Sequence, residues 1–433
     1  MKLHTKIALG LLFGALVGSL SNAFFGSASW LLWVTNNVAY PVGQIFLRML
    51  FMTVVPIVFT SIALGVAGIG DMKTLGRLGG RTFGYFLLST LIAATIGLTL
   101  VNTLHPGGGL SPEIRDELMA RFSGQGATAS GPVSFGVSTF VDIVPRNPVK
   151  AAADMDMLAL IFFSLIFGAA LTLIPREKAQ PVIDVLEGIG EAVIKIIDMA
   201  MKLAPYGVFA LIFGITSQFG WSILQQLGLY VVVVVVGLLI HGTVGISALV
   251  KVFGRMNPFK FWRSIDAPFI TAFSTSSSMA TLPTSISTAE TELDVQPKIA
   301  GFVLPLGATM NMNGTSLYEG VTVLFLAQVF GVHLHLGQQI IVVVLAVLTA
   351  VGAAGVPGGS LPLMMLVMAT VGVPPEGIAI ILGADRLLDM CRTTLNVCGD
   401  ISCSVYIDRI DREWEGLPKA QPGRHAPATA VAD

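Results

Sequence analysis

The stretch ADRLLDMCRTTLNVCGD, residues 384–400, carries carboxylate, guanidinium and amide groups within an otherwise apolar context. Five polar side chains recur at intervals of four, three, four and four residues: Asp385, Asp389, Arg392, Asn396 and Asp400. At about 100° per residue, these positions fall on one narrow stripe of an α-helix. We call this set the polar stripe. Its mixed charges could bind a small ligand that carries both signs of charge, together with cations.

The surrounding chain has the composition of a membrane protein. Of its 433 residues, 54% are hydrophobic and 12% charged, against about 25% charged in soluble domains. The net charge of −1 gives no indication of a nucleic-acid partner. A bilayer crossing takes roughly 20 apolar residues. The segments that could cross are Ile7–Phe24, Tyr40–Gly68, Phe83–Leu104, Met157–Ile174, Val193–Ser217, Ile223–Val252, Ile299–Phe330 and Gly377–Val405.

The polar stripe lies in the eighth of these segments and cannot face lipid. An ionised side chain at the bilayer centre costs at least about 2.5–3.5 kcal/mol. Asp389 and Arg392 could simply neutralise each other, but burying even a paired ion costs several kcal/mol before repayment. The other carboxylates have no basic partner on the stripe. We therefore favour a ligand-binding role over a purely structural one.

Basic residues mark every second loop, from Lys2 and Lys6 before the first span to Lys251 and Arg255 after the sixth. This bias places both termini in the cytoplasm and the loop His105–Asp154 outside. We expect a multi-pass protein of a plasma membrane, of the bacterial inner-membrane type.

Two further segments, residues 269–290 and 340–372, have apolar ends around a serine-rich or a glycine- and proline-rich middle. Non-helical backbone at membrane depth requires burial in protein or a watery cavity. Each segment is therefore predicted to be a re-entrant helical hairpin, and such pairs are typical of the binding sites of secondary transporters. Ordinary loops between short helices are the alternative.

The seventh span contains LPLGATMNMNGTSLYEG, residues 304–320. Asn311, Asn313 and Thr315 surround Gly314, where we expect the helix to weaken and free its carbonyl groups. Carbonyl, amide and carboxylate oxygens are suitable ligands for a hard cation such as sodium. Glu319 is a lone intramembrane carboxyl group and a candidate proton carrier.

The motifs TSSSMATLP, NMNGTSLYEG, GAAGVPGG and DMCRTTLNVCGD resemble, in order and spacing, four signature motifs of the glutamate transporter family, the dicarboxylate/amino acid:cation symporters. The resemblance covers essentially the whole chain. It implies an all-α polytopic membrane protein of eight transmembrane helices and two re-entrant hairpins with inverted repeats, acting as a homotrimeric elevator-type transporter. The implied divisions are scaffold spans in 1–75 and 151–220, the third span and external loop in 76–150, the transport domain in 221–410 and a disordered cytoplasmic tail in 411–433.

The resemblance also implies roles for individual residues. Arg392 would hold the side-chain carboxylate of an acidic amino acid as a bidentate fork, and Asp389 its α-amino group. The other implied substrate contacts are Asn396, Thr315, Thr393, Ser276, Ser278, Gly355, Val356 and Gly359. The implied sodium ligands are Gly307, Asn311, Asn396 and Asp400 for one ion, Thr309, Met312, Ala350, Val351 and Ala353 for a second, and Ser89, Thr90, Asn311 and Asn313 for a third.

The chain departs from the family pattern at several positions. Many relatives have an aspartate at Asn313, so the third sodium site loses a negative charge here. Relatives also carry an arginine at Ser276 or at Met390, for which Arg386 is a candidate substitute. Glu319 matches the proton carrier of the eukaryotic members.

These observations predict a symporter that imports aspartate or glutamate with sodium, and with a proton if Glu319 carries one. Sodium is the expected coupling ion, with no other cofactor. A C4-dicarboxylate symporter is the close alternative, disfavoured because a substrate without an amine would leave Asp389 unpaired. An anion channel is a more distant alternative. An enzyme is least favoured, since no histidine lies near the serine run that includes Ser276 and Ser278.

Overall fold

The computed structural model describes residues 3–26, 28–67, 76–123, 144–154, 157–352, 358–418 and 420. Every regular element within these ranges is helical, which confirms the predicted all-α class. The α-helices are Leu3–Phe25, Ser29–Val34, Tyr40–Phe51, Val54–Ala67, Gly76–Leu104, Pro112–Ser123, Pro148–Ala153, Met157–Leu173, Arg176–Phe219, Ser222–Ile240, Ser247–Val252, Pro258–Ser264, Asp266–Thr275, Ser278–Thr291, Pro297–Met310, Asn313–Val329, Leu336–Gly352, Leu361–Thr370 and Leu382–Glu415. Short π-helical or 3₁₀ segments occupy Thr35–Ala39, His241–Ile246 and Pro375–Ile380.

Five helical stretches are long and apolar enough to cross a membrane, judged by length and composition within the described residues. They are Thr5–Phe25, Ser29–Leu64, Leu78–Leu104, Arg176–Phe219 and Ser222–Val252. These stretches correspond to the first, second, third, fifth and sixth predicted spans. The fourth is a shorter helix of 17 residues, Met157–Leu173. The seventh is interrupted and the eighth carries the polar stripe, so neither has one long uncharged helix.

The seventh span consists of two helices, Pro297–Met310 and Asn313–Val329, which we call the broken helix. The interruption lies at Asn311 (φ −112°, ψ 85°) and Met312 (φ −107°, ψ 53°). The prediction of a weak point at Gly314 was wrong, because Gly314 is helical. A Cβ atom there would collide with the carbonyl oxygen of Arg392. Glycine at this position therefore allows the broken helix to pack closely on the eighth span.

The serine-rich segment forms the first hairpin, with arms Asp266–Thr275 and Ser278–Thr291. Its tip turns through Ser276, which has left-handed backbone angles (φ 51°, ψ 36°). Ser277 then caps the second arm, because its Oγ accepts a hydrogen bond from the amide of Ala280 at 3.2 Å. The arms have 10 and 14 residues, fewer than a crossing requires.

The second hairpin has arms Leu336–Gly352 and Leu361–Thr370. Residues 353–357 lie outside the described residues, and with them the predicted contacts Gly355, Val356 and Ala353. Gly358 and Gly359 are described, and Gly358 adopts a φ of +76° that favours glycine. At Gly358 the chain contacts Asp389 through its backbone amide.

The helices of the first two spans pack against the long helix Arg176–Phe219. Close approach is possible because Gly10 and Gly14 lie against that helix, and a Cβ at Gly14 would lie 2.8 Å from the carbonyl oxygen of Phe209. The first hairpin, the broken helix and the third span pack around Leu382–Glu415, which we call the last helix, and the first-span helix Leu3–Phe25 also contacts it.

The last helix continues to Glu415, so the predicted start of a disordered tail at residue 411 was wrong. Several ion pairs hold its end, among them those of Arg412 Nε with Asp408 and of Lys298 Nζ with Asp411, each at 2.7 Å. The helix then ends at Gly416 in the left-handed conformation.

Candidate functional site

The polar stripe is buried along its whole length. Asp385, Asp389, Arg392, Asn396 and Asp400 are each only 2–3% exposed. Because the last helix packs against the broken helix, both arms of the first hairpin and the third span, these side chains face protein on every side. The predicted inward orientation of the stripe is confirmed.

Arg392 is held between two carboxylates and an aromatic ring. Its Nη1 lies 2.9 Å from Asp385 Oδ1, and its Nη2 lies 3.0 Å from Asp389 Oδ1. The guanidinium carbon lies 4.3 Å from the ring centroid of Tyr318, a cation–π contact. Tyr318 Oη in turn donates a hydrogen bond to Asp385 Oδ1 at 2.8 Å. The expectation that Asp385 lacks a basic partner was therefore wrong, since Arg392 reaches back two turns to it.

Asp389 contacts several groups in addition to Arg392. A second arginine, Arg386, places Nη1 3.5 Å from its Oδ2. The backbone amide of Gly358 donates to the same Oδ2 at 3.3 Å, so the second hairpin touches the stripe. The hydroxyl of Thr393 donates to Oδ1 at 3.4 Å. Asp385 and Asp389 carry two negative charges, and Arg392 and the neighbouring Arg386 carry two positive charges. The formal charge of this group is therefore zero.

The first hairpin contributes its predicted serines to the interior. Ser276 and Ser278 are buried, as a hairpin that enters the protein requires and a surface loop does not. Within the described part of the chain, neither Oγ has a hydrogen-bond partner. A buried hydroxyl without a partner loses the hydrogen bonds it would make in water, so both are available to a ligand.

Asp400 lies at the other end of the stripe, where the broken helix is interrupted. Its Oδ1 accepts a hydrogen bond from Asn311 Nδ2 at 2.8 Å, and no basic group among the described residues pairs with it. A Cβ atom at Gly307 would lie 2.6 Å from Asp400 Oδ1, so the glycine leaves room beside the carboxylate. The Oδ1 of Asn311 is buried and has no hydrogen-bond partner in the described ranges. These oxygens fit a hard cation.

Asn396 connects the two halves of the stripe. Its Oδ1 accepts from the amide of Gly314 at 2.8 Å, and its Nδ2 lies 3.1 Å from both Thr315 Oγ1 and Met312 Sδ. The side chain therefore fixes the start of the second half of the broken helix. Thr315 and Asn396, both predicted substrate contacts, lie together.

The residues predicted for a third sodium come together in part. Asn313 Nδ2 donates to Ser89 Oγ at 3.0 Å. Thr90, the residue after Ser89, is also buried. Asn313 Oδ1 accepts from the amide of Gly314 at 2.7 Å. Asn313 thus turns a donor toward Ser89, which is the reverse of what a cation needs.

The second predicted sodium site is less complete. Thr309 is exposed, and its hydroxyl donates to the carbonyl of Leu306 on its own helix at 2.9 Å. Ala350 is buried in the first arm of the second hairpin, in which Val351 also lies. The two helices that carry Thr309 and Ala350 pack against each other.

Glu319 is fully buried and contacts the second hairpin. Thr349 Oγ1 donates to Glu319 Oε2 at 2.8 Å, and Glu319 Oε1 has no partner in the described residues. The candidate proton carrier therefore lies between the broken helix and a hairpin arm.

Sequence reasoning missed Tyr318 as a residue of the site. The available signal was its spacing, because it lies three residues after Thr315 and so on the same side of the helix. The contacts of Thr349 and Gly358 had no comparable signal.

Comparisons with known proteins agree with this architecture. A family model described as the sodium:dicarboxylate symporter family matches residues 3–410. The proton/sodium-glutamate symport protein of Bacillus caldotenax is 36% identical over 97% of this chain and 96% of its own length. The proton/glutamate-aspartate symporter of Escherichia coli is 34% identical over 95% of this chain and 93% of its own. Human excitatory amino acid transporter 2 is 34% identical over 85% and 72%. The chain belongs to the sodium:dicarboxylate symporter family, whose members are transporters rather than enzymes.

Proposed function

We propose that the protein is a secondary active symporter that imports an acidic amino acid, aspartate or glutamate, together with sodium. The observation that carries the proposal is the buried Arg392, which is held by Asp385 and Asp389. Its helix packs against both arms of the first hairpin, and Asp389 also accepts a hydrogen bond from Gly358 of the second hairpin. The names of the relatives, which include glutamate and glutamate-aspartate symporters, support this substrate class.

Binding is proposed to proceed by exchange of ion-pair partners. The side-chain carboxylate of the substrate takes the Arg392 guanidinium as a bidentate partner, and its ammonium group takes Asp389. The side-chain carboxylate and the ammonium group of the substrate then each have a partner of opposite sign, which lowers the cost of burying them. The α-carboxylate is left to neutral donors. Thr315, Thr393, Asn396 and the first-hairpin serines supply neutral hydrogen bonds.

A C4-dicarboxylate is the second candidate substrate. Arg386 lies 3.5 Å from Asp389 and could neutralise that carboxylate when no substrate amine is present. Competition between succinate and aspartate for uptake decides between the two substrates.

Sodium is proposed as the cation beside Asp400, with Asn311, Asn396 and Gly307 as its other ligands. The support is the buried carboxylate, whose charge requires a positive partner, and the unpaired amide oxygen of Asn311. Closure of the second hairpin over the loaded site would then permit movement. Glu319 is proposed as the carrier of a coupled proton, because its bond to Thr349 links its protonation to that hairpin.

The assembly is proposed to be a homotrimer in a bacterial plasma membrane with both termini cytoplasmic. The spans before residue 76 and those in 151–220 would form the scaffold, and 221–410 with the third span the mobile transport domain. The division is supported by the packing of the first two spans on Arg176–Phe219 and of the first hairpin and the broken helix on the last helix, while the first span contacts both long helices.

Uptake into proteoliposomes tests the function. Labelled aspartate should accumulate when sodium is high outside, and a sodium ionophore should abolish accumulation. Accumulation that responds to neither a sodium nor a proton gradient contradicts the proposal. So does flux that equilibrates without ever concentrating the substrate, which is the behaviour of a channel.

A further inference from the structure

A cavity of about 360 Å³ lies apart from the polar stripe. It is bounded by the end of the third span, the end of the broken helix and the start of the second hairpin. The described residues that line it include no carboxylate, and its polar side chains are Asn102, His105, Arg115, Gln328, His333 and Gln339. Its volume is within the range of small-molecule sites, and its one charged side chain among the described lining residues is that of Arg115.

Arg115 is fixed at the edge of this cavity. Its Nη2 donates to the carbonyl oxygen of Gly108 at 2.6 Å. Its aliphatic carbons lie over Gly331, where an added Cβ would be 3.6 Å from Arg115 Cδ. The buried Nε of Arg115 has no hydrogen-bond partner among the described residues. The guanidinium group therefore keeps donor capacity that a ligand oxygen would satisfy.

The amide side chains of the cavity wall are braced. Gln328 Oε1 accepts from the amide of Gly107 at 2.9 Å, and its Nε2 donates to the carbonyl of Val101 at 3.2 Å. Asn102 Nδ2 donates to Gln339 Oε1 at 2.7 Å. The wall is thus held before any ligand arrives, which reduces the entropy lost on binding.

We propose that this cavity is a second binding site, for a small carboxylate anion, separate from the site around Arg392. A positioned arginine with neighbouring imidazole and amide donors recognises a carboxylate, and no acidic group of the described lining opposes it. Gln339 belongs to the first arm of the second hairpin, so an anion bound here would also contact that arm. The inference does not depend on the proposed transport cycle.

Binding to the purified full-length protein in detergent tests the site, with succinate and aspartate as probes in saturation-transfer NMR. In Arg392→Ala protein, a probe should still bind, and adding Arg115→Gln should weaken that binding at least about tenfold, the loss expected for one charge-assisted contact. Arg146→Gln is the matched control, because Arg146 is an exposed arginine in the same connection between spans. It should change the affinity less than about twofold, within the range of exposed charges.

A second measurement does not use Arg392→Ala, so a folding defect of that variant cannot affect it. In the parent protein, succinate or aspartate titration should show two phases, and Arg115→Gln alone should remove the weaker one. Binding of aspartate identifies the ligand as an acidic amino acid, whereas binding of succinate alone identifies a carboxylate that lacks an amine. A single phase in the parent, or equal effects of the Arg115 and Arg146 substitutions, overturns the proposal.

Discussion

The half of the polar stripe around Arg392 and the half around Asp400 differ in how their buried charges are neutralised. Around Arg392, two aspartates and a second arginine balance one another within the chain. Around Asp400, the only described partner is the amide of Asn311. The first half can exchange partners with a ligand of both charge signs. The second half has no basic partner among the described residues, and under the proposed function a cation from outside the chain would supply one. Substrate choice and ion coupling are therefore expected to be separable by substitution.

The largest expected effect is that of Arg392→Ala. It leaves Asp385 and Asp389 without their shared partner, and breaking a buried ion pair costs roughly 3–5 kcal/mol. Aspartate uptake should fall by at least about 100-fold, since 1.4 kcal/mol corresponds to a factor of ten. Uptake of a neutral amino acid by the same preparation serves as the control for folding. Unchanged affinity for aspartate would remove Arg392 from the substrate site.

Asp400→Asn should weaken sodium binding at the other end of the polar stripe. The substitution keeps the shape but removes the charge that requires a cation, so the sodium concentration for half-maximal uptake should rise about tenfold or more. The matched control is Asp408→Asn, because Asp408 is a buried aspartate of the same helix that is already paired with Arg412. That control should lower thermal stability with little effect on the sodium response. Equal sodium responses in the two variants would exclude Asp400 as an ion ligand.

Glu319→Gln tests proton coupling independently of both halves. Glutamine can still accept the hydrogen bond from Thr349 but cannot carry a proton. If Glu319 is the carrier, an inward proton gradient stimulates uptake by the parent protein, and the variant should respond by less than about twofold between pH 6 and pH 8. Gradient-driven stimulation that survives in the variant assigns the proton to another group.

Asn313→Asp is expected to have the smallest effect, and that effect should be on the sodium dependence of uptake. The carboxylate cannot donate to Ser89, and it adds a negative charge beside Ser89 and Asn311, where a further cation could bind. We expect a steeper sodium dependence of uptake, with a change of a few-fold in apparent sodium affinity. An unchanged Hill slope would show that position 313 binds no ion in this protein.

Local sequence patterns predicted a large part of the fold. Apolar lengths and helical periodicity depend only on nearby residues, so the spans, the two hairpins and the inward side of the stripe could be placed. The predicted position of the interruption in the broken helix was wrong because a glycine such as Gly314 is compatible with two different structures. It can weaken a helix, or it can let another helix approach, and only its contact with the backbone of Arg392 distinguishes them.

The site was predicted less fully, because its decisive contacts join residues far apart in the chain. Tyr318 donates to Asp385, and Asn311 donates to Asp400. The substrate and sodium roles of these residues stay predictions until transport is measured. Arg386 was predicted as a substitute for a missing family arginine, but its contact with Asp389 was not predicted.

Hydrophobic length and side-chain periodicity are local properties with large energetic consequences, so they were enough to predict a helical membrane protein with a charged face turned away from lipid. The packing of the helices was needed to learn which charges pair within the chain and which carboxylate has no basic partner among the described residues. The physical reason is that ion pairs and hydrogen bonds act over about 3 Å, and distances of that size between remote residues are set by how the helices pack.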